Sequence, residues 1–463
     1  MSDLFTLRVS FPFPAAMSLG RLSVRTLVLV SLLTLSFSVQ AQSNRNYGSA
    51  YSRFGLGERI SFASSQAEMM GGASVAVRSL TYNGLENPAL WSDLGLTQFS
   101  VAAQVEGLES ENAAGDQAQL SSGSLAGLQL GIPLLANRLG LTLAFRPFSR
   151  VNYLAVRDGE VIDPGAPDDP VPYRVNFEGD GGLQQARLGL GYRFSPALSV
   201  GASVDVLFGS IDYLQRTEFE STSIAETRAT QSTDLAGVSG SLGALFSTTG
   251  LLADDDGLSI GAAVTLPTRL SGERVRTLGV SLDRDTLGTP VSGDVTVPLQ
   301  VTAGFSYVPD QRWTLAADVR YEPWSQFDSD FAFGGFAPEG EDRLRDRFRV
   351  GGGFQFLPAG NDRSRAYFAR TAYRLGAYYD QAYFDAAALS ADGTPTGPEA
   401  SITTLALTGG LSLPAVLPTA RFDLGFEIGT RGTTDQGLVR DLFIKASATI
   451  NFGERWFRER RLG

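Results

Sequence analysis

Apolar and polar positions alternate along most of this chain. In residues 313–321 one face reads Trp313, Leu315, Ala317, Val319 and Tyr321, and the other Thr314, Ala316, Asp318 and Arg320. Residues 421–429 set Phe422, Leu424, Phe426 and Ile428 against Asp423, Gly425, Glu427 and Gly429. Near the C-terminus Leu442, Ile444, Ala446, Ala448, Ile450 and Phe452 face away from Lys445, Ser447, Thr449 and Asn451. A period of two with one greasy face predicts strands, each wet on one side. Such segments are read at 95–107, 122–133, 138–150, 184–195, 197–214, 234–249, 257–269, 295–308, 312–324, 344–357, 365–382, 402–413, 419–430 and 440–452, about fourteen in all.

A soluble sandwich also alternates, so the connections decide. After even-numbered segments they are short, around 136–138, 195–196, 309–311, 358–364 and 414–417. After odd-numbered segments they are long and hydrophilic, at 150–183, 215–233, 271–294, 325–343 and 385–401. Short turns on one rim and long loops on the other belong to a transmembrane antiparallel barrel, as does an even strand number. Phe194, Tyr307, Trp313, Phe356, Tyr367, Phe422 and Phe452 fall at segment ends beside short turns, on the apolar faces, where an interfacial belt is expected. The fold class is therefore all-β, a barrel spanning residues 95–452.

Composition narrows the chemistry. The chain has no cysteine and no histidine, which excludes disulfides, zinc–thiolate sites and any triad with an imidazole base. No cofactor, metal site or catalytic group is read, and the protein is expected not to be an enzyme. A net charge of −11 argues against nucleic acid, which needs a basic footprint. The acidic run Asp254-Asp255-Asp256 falls in a turn and reads as solvated, with Ca²⁺ binding the alternative. Arg21 and Arg25 precede an apolar run at 27–39, and Val39 and Ala41 take the −3 and −1 positions of an export cleavage site. Residues 1–41 thus read as a signal peptide, with translation starting at Met17, and no later stretch is apolar for the about 20 residues of a membrane helix. A basic tail, 453–463, follows the last segment.

On this reading the polar faces line a lumen. Its charges include Arg146, Arg187, Arg193, Asp205, Asp318, Arg320, Arg347, Arg349, Arg370, Arg374, Asp423, Glu427 and Lys445. Inside a barrel such charges pair with one another, or else some arginines hold an anionic head group, for which their planar fork is suited; Arg146, Arg187, Arg349 and Arg370 are the candidates. Residues 42–94 do not read as wall. They carry YGSAYSRFGLG (47–57), then Met69-Met70-Gly71-Gly72-Ala73-Ser74, then YNGLENPAL (82–90). Too apolar for a solvated tail, this segment is expected to fill the lumen as a plug; a periplasmic appendage or interaction arm is the alternative.

The stretch GGASVAVRSLTYNGLENPALWSDL resembles the hatch of the FadL/TodX outer-membrane family, in which a GGA-type run leads to an Asn-Pro-Ala motif before the first strand. Gly71, Gly72 and Ala73 match the first element, and Asn87, Pro88 and Ala89 the second. LSVGASVDVLFGSIDY (198–213) is similar to the family's fifth strand, and FSYVPDQRWTLAADVRYEPWSQF (305–327) to its strand pair ending in Trp-Ser. The resemblance implies passive uptake of hydrophobic compounds such as long-chain fatty acids, with capture near the outer loops and sideways release into the membrane at an inward kink of strand three. Its partners would be a hydrophobic or lipid ligand, outer-membrane lipid and, during biogenesis, the barrel assembly machinery.

Two departures stand out. The loop 150–183 is rich in Asp, Gly and Pro rather than apolar, so no greasy capture groove is evident, and the chain continues past Phe452 as GERWFRERRLG. The YSRFGLG segment with that tail looks like a Bacteroidetes-type branch, in which a PorV-like shuttle serves a secretion system. A structural or docking barrel is therefore the alternative function. In strand three Leu139, Leu141, Leu143 and Phe145 lead to Pro147. Proline lacks the N–H a ladder needs, so Pro147 marks either the kink or the strand's end at the membrane surface. Cleavage after Ala41 makes Gln42 the first residue of the mature protein, which N-terminal sequencing of outer-membrane material checks; an intact Met1 or Met17 start in that material would refute it.

Overall fold

The structure, a computed structural model, describes residues 47–455 apart from 80, 164–165, 221–224, 280–284, 340–342, 361, 390–394 and 416–418. The expected signal peptide, Gln42 and most of the basic tail lie outside the described residues.

Fourteen antiparallel strands close into a barrel. They are β1 (Thr97–Asn112), β2 (Gln117–Leu135), β3 in two pieces (Leu139–Pro147 and Tyr153–Asp163), β4 (Ala166–Arg193), β5 (Leu198–Phe219), β6 (Thr227–Thr249), β7 in two pieces (Gly257–Thr265 and Thr268–Leu278) and β8 in two pieces (Val291–Val297 and Gln300–Asp310). The remainder are β9 (Trp313–Glu322), β10 (Arg347–Phe356), β11 (Ala372–Leu389), β12 (Pro395–Pro414), β13 (Arg421–Gly432) and β14 (Val439–Glu454). The seam is a full ladder of β1 with β14, from Thr97 opposite Glu454 to Asn112 opposite Val439. Closure leaves no edge along that seam for lipid to meet.

Outward faces carry the expected greasy alternation. Val204, Val238, Leu405, Leu407, Phe426 and Ile450 are each more than half exposed. A continuous apolar exterior of this kind needs lipid around it, as in barrels of the outer-membrane type. At the short-turn rim Phe194, Trp313, Phe422 and Phe452 are exposed, and Trp313 stacks on Phe356 with centroids 4.4 Å apart. No helix among the described residues is long and apolar enough to cross a membrane.

Three readings of the wall are corrected. The presumed loop 150–183 is a hairpin: β3 resumes at Tyr153 and pairs with β4 from Tyr153–Gly179 to Asp163–Ala166. Its Asp, Gly and Pro content masked a period of two, because an arm beyond the membrane carries no lipid-facing residues. β11 begins at Ala372 rather than near 365, so Tyr367 and Arg370 belong to a 3₁₀ turn (Tyr367–Arg370) on the short-turn side. Asp256, read as part of a solvated acidic run, is buried: its carboxylate accepts the N–H groups of Leu251, Leu252 and Ala253 at 2.7, 2.8 and 3.2 Å and so closes its own turn.

The loop from β9 to β10 folds inward. Phe327, Phe331, Phe333, Phe336 and Leu344 are buried there with Tyr51, Phe54 and Leu56 of the N-terminal segment and with Leu207, Leu235 and Leu270 of the wall. Asp328–Ser329 pairs with Thr296 and Val295 of β8, and the Gly55 N–H reaches the Gly334 carbonyl at 2.8 Å. A closed ladder of this size resists detergent until heated. The purified protein should run faster on a gel unboiled than boiled; identical mobility would mean the ladder does not close.

Candidate functional site

The site is the interior, where the N-terminal segment meets the wall. Short local elements shape that segment. Ser64 caps a one-turn helix (Ser65–Glu68), accepting the Ala67 N–H at 3.1 Å. Asn87 caps a 3₁₀ turn (Pro88–Asp93), accepting the Ala89 N–H at 3.0 Å, with proline at the first position, where its missing N–H is harmless. The Asn-Pro-Ala motif is thus a turn starter with a second duty. The buried Asn87 amide also donates to the Val75 carbonyl at 2.8 Å and to the Ala244 carbonyl of β6 at 3.0 Å.

Glycine lets backbone meet backbone. Gly71 and Gly72 have φ of 70° and 88°, a region that side chains disfavour. The Gly71 N–H donates to the Thr408 hydroxyl of β12 at 2.9 Å, and its position against Gly352 and Ala377 leaves no room for a β-carbon. Gly201 and Gly243 of the wall likewise seat Pro88 and Asn87. Ala73 is buried with Met70, Val77 and Ala316. Just beyond, the Asp318 carboxylate of β9 accepts the N–H groups of Ser74 and Val75 at 2.6 and 2.8 Å. All six motif residues therefore touch or face the wall.

Charge completes the seating. Glu86, 4% exposed, lies 2.8 Å from Arg320 and 3.9 Å from Arg146, and accepts from Gln300 at 2.7 Å and Thr302 at 3.1 Å. Burial pushes its carboxyl up, but Arg320, Arg146 and Arg187 together hold it below the usual range. Glu58 bridges Arg431 at 2.6 Å and Arg150 at 3.2 Å. Arg59 meets Glu322 at 3.3 Å and lies over the Phe148 ring at 3.5 Å. Tyr82 donates to Asp423 at 2.9 Å.

The four arginines proposed from sequence for a head group fare differently. Arg187 forms a fork to Asp205 at 2.6 and 2.8 Å and also donates to the Leu85 carbonyl. Arg146 donates to Gln185 at 2.8 Å and to the Phe62 carbonyl. Both are committed to holding wall and segment. Arg370, in its turn, has a shielded Nε without a hydrogen-bond partner among the described residues. Arg349 pairs with Asp380 at 3.2 Å, lies over Tyr378 at 3.8 Å and borders a cavity.

That cavity, about 110 Å³, is lined by Glu58, Glu68, Arg349, Tyr378, Glu427 and Lys445 among others. It is roomy enough for a few waters at about 30 Å³ each, and below the about 300 Å³ at which ligand pockets begin. Burial lifts the Glu68 carboxyl to about 7; Glu427 adds to this, and Lys445 and Arg349 oppose it.

Strand three changes course where its proline stands. The first piece of β3 pairs with β4 up to Pro147 opposite Gln184. The chain then turns inward, with Phe148 and Val151 buried, and Ser149–Arg150 pairs with Glu58–Arg59 of the segment. β2 pairs with β3 only from Leu128–Phe145 to Leu135–Leu139. Residues 117–127 of β2 therefore have no ladder partner on that side among the described residues. Arg150 spans the inner side of this opening, 2.8 Å from Glu106 of β1 and 3.4 Å from the Ser122 hydroxyl of β2. Sequence reasoning missed Arg150, which looked like the first residue of a loop. It also missed Glu86, although a carboxylate just before Asn-Pro in an apolar run was a usable signal.

The Arg187–Asp205 pair is almost wholly buried. Removing one partner strands the other charge, at about 3–5 kcal/mol, whereas replacing both with apolar groups is near neutral. Arg187→Met should lower the temperature of the gel-mobility transition markedly, and Arg187→Met with Asp205→Leu should restore most of it. A double variant no better than the single one would refute this pairing as the cause.

With the geometry described, likeness to known proteins can be placed. Solved structures of the same fold include the toluene transporter TbuX of Ralstonia pickettii, 16% identical over 86% of this chain and 99% of that one, TM-score 0.54. The P. putida toluene transporter TodX gives 17%, 86%, 100% and 0.52, and a Pseudomonas aeruginosa FadL homologue 12%, 85%, 99% and 0.53. Identities this low show a shared fold. A comparison with curated proteins finds no match. The family model described as BamG matches residues 23–463, nearly the whole chain, and the protein therefore belongs to the BamG family.

Proposed function

We propose that this barrel sits in the outer membrane and lets hydrophobic compounds cross it passively, long-chain fatty acids among them, with residues 47–94 as a hatch in the lumen. The observation that carries the reading is the break in β3. The ladder between β2 and β3 stops at Phe145, two residues before Pro147, the chain turns inward after the proline, and residues 117–127 of β2 are left open beside it. An unpaired edge against lipid is costly, and here it adjoins a buried apolar patch of Phe62, Ala102 and Ala126, so a solute leaving the interior has a sideways route. That two neighbours in fold are toluene transporters and a third is a FadL homologue supports it. On this reading the head group of an anionic solute is held by Arg150 at the opening or by Arg349 at the cavity, rather than by Arg146.

A second reading has its own observation. The lumen is braced by ion pairs and its charged cavity is about 110 Å³, which suits a rigid docking barrel better than a conduit. The BamG match hints at a place in barrel assembly, and a PorV-like shuttle is a further form of the same idea.

Pro147→Val separates the two. With an N–H restored, β3 can continue its ladder. If the break is the exit, the variant keeps its heat-modifiable mobility while cellular uptake of a fluorescent hydrophobic probe falls several-fold. Variant uptake equal to that of the unmodified barrel overturns the exit, and uptake by the unmodified barrel no greater than in cells lacking it favours docking.

A further inference from the structure

A groove of about 610 Å³ opens on the long-loop rim, between β7, β8 and the inward-folded loop after β9. This is the size of a small-molecule site, for which about 300–1,000 Å³ is usual. Its walls include Leu287, Val291, Phe331 and Pro338, and Leu287 and Val291 are about half exposed, at 50% and 55%. Arg274 also lines it and is 5% exposed.

The guanidinium of Arg274 is incompletely matched. Nε donates to the Thr233 hydroxyl at 2.8 Å and Nη1 to the Ala332 carbonyl at 3.0 Å. The plane packs near Phe331 and Phe333, 4.8 and 5.1 Å from the ring centroids. Nη2 is shielded from solvent and has no hydrogen-bond partner among the described residues. Folded proteins rarely leave a buried donor unmatched, least of all on a group that stays charged. Among the described residues the acidic neighbours do not supply the acceptor: Asp330 receives the Asp294 N–H at 2.7 Å, and Glu339 is exposed at the mouth. Arg276, beside it, has its Nε on Gln231 at 3.0 Å.

We propose that this groove binds a small amphipathic anion, its carboxylate or sulfonate at Arg274 and its apolar body against Leu287, Val291 and Phe331. Phe331 and Phe333 pack beside the guanidinium and lower the local dielectric, which strengthens its bond to an anion, and Leu287 and Val291 favour anions that carry a hydrophobic body. The site lies apart from the β3 break and does not depend on the uptake reading.

The test uses the full barrel in non-ionic detergent, with protein-free micelles subtracted, and calorimetry with 4-butylbenzoate and its neutral counterpart 4-butylbenzyl alcohol. A charge-assisted hydrogen bond predicts about tenfold tighter binding of the acid. Arg274→Gln should abolish that preference. Leu287→Trp, which fills the groove from an exposed position and leaves Arg274 in place, should weaken both probes. Equal affinity for acid and alcohol in the unmodified barrel overturns the proposal. So does undiminished acid binding by Leu287→Trp, which carries the test if Arg274→Gln loses its heat-modifiable fold. Because binding is read on purified protein and uptake in cells, the two readings fail separately.

Discussion

The interior depends on the cost of an unpaired charge away from water. Buried arginines on the inner wall are stable only if they find anions or other acceptors, and buried carboxylates of the N-terminal segment only if they find cations or donors. Glu86 supplies one half of that match, and Arg320, Arg146 and Arg187 around it the other. Glu58 does the same between Arg150 and Arg431. Wall and segment therefore specify each other, and neither inner face would be stable alone.

Close approach follows from that match. Ion pairs hold the segment near the wall, and glycine on both surfaces removes the side chains that would keep the two backbones apart, as where Gly71 faces Gly352 and where Gly243 faces Asn87. The same tightness leaves little free volume at the charged level, while the outer level is filled by aromatic rings from the segment and the β9–β10 loop. At β3, by contrast, residues 117–127 of β2 have no ladder partner on one side among the described residues.

The wall was legible in the sequence because lipid on one side and a wet lumen on the other impose a period of two, as in β9, β13 and β14. Where a strand leaves the membrane, that contrast fades. The β3–β4 arm was accordingly read as a loop, and the start of β11 was placed several residues early, which put Arg370 among the lumen charges when it belongs to a turn. The turn at Asn87-Pro88-Ala89 was legible for a different reason: Asn-Pro is a local signal, a cap followed by a fixed φ. Arg150 and Arg274 were not legible, since their roles arise from Glu58, Ser122, Thr233 and Ala332, which stand far away along the chain.

The seam between β1 and β14 has a consequence for the order of assembly. The segment precedes β1, yet its partners are spread from β1 to β14, with Phe62 packing on Ala102, Ser49 reaching Asp441 and Tyr82 reaching Asp423. Contacts so distant in sequence form slowly, because chain entropy is lost before they contribute. Once the seam has zipped, a stretch this bulky would have to thread through a finished ring. The simplest route has the curved sheet gather around the segment while its first and last strands are still apart, so that the segment acts as the mandrel on which the cylinder is closed.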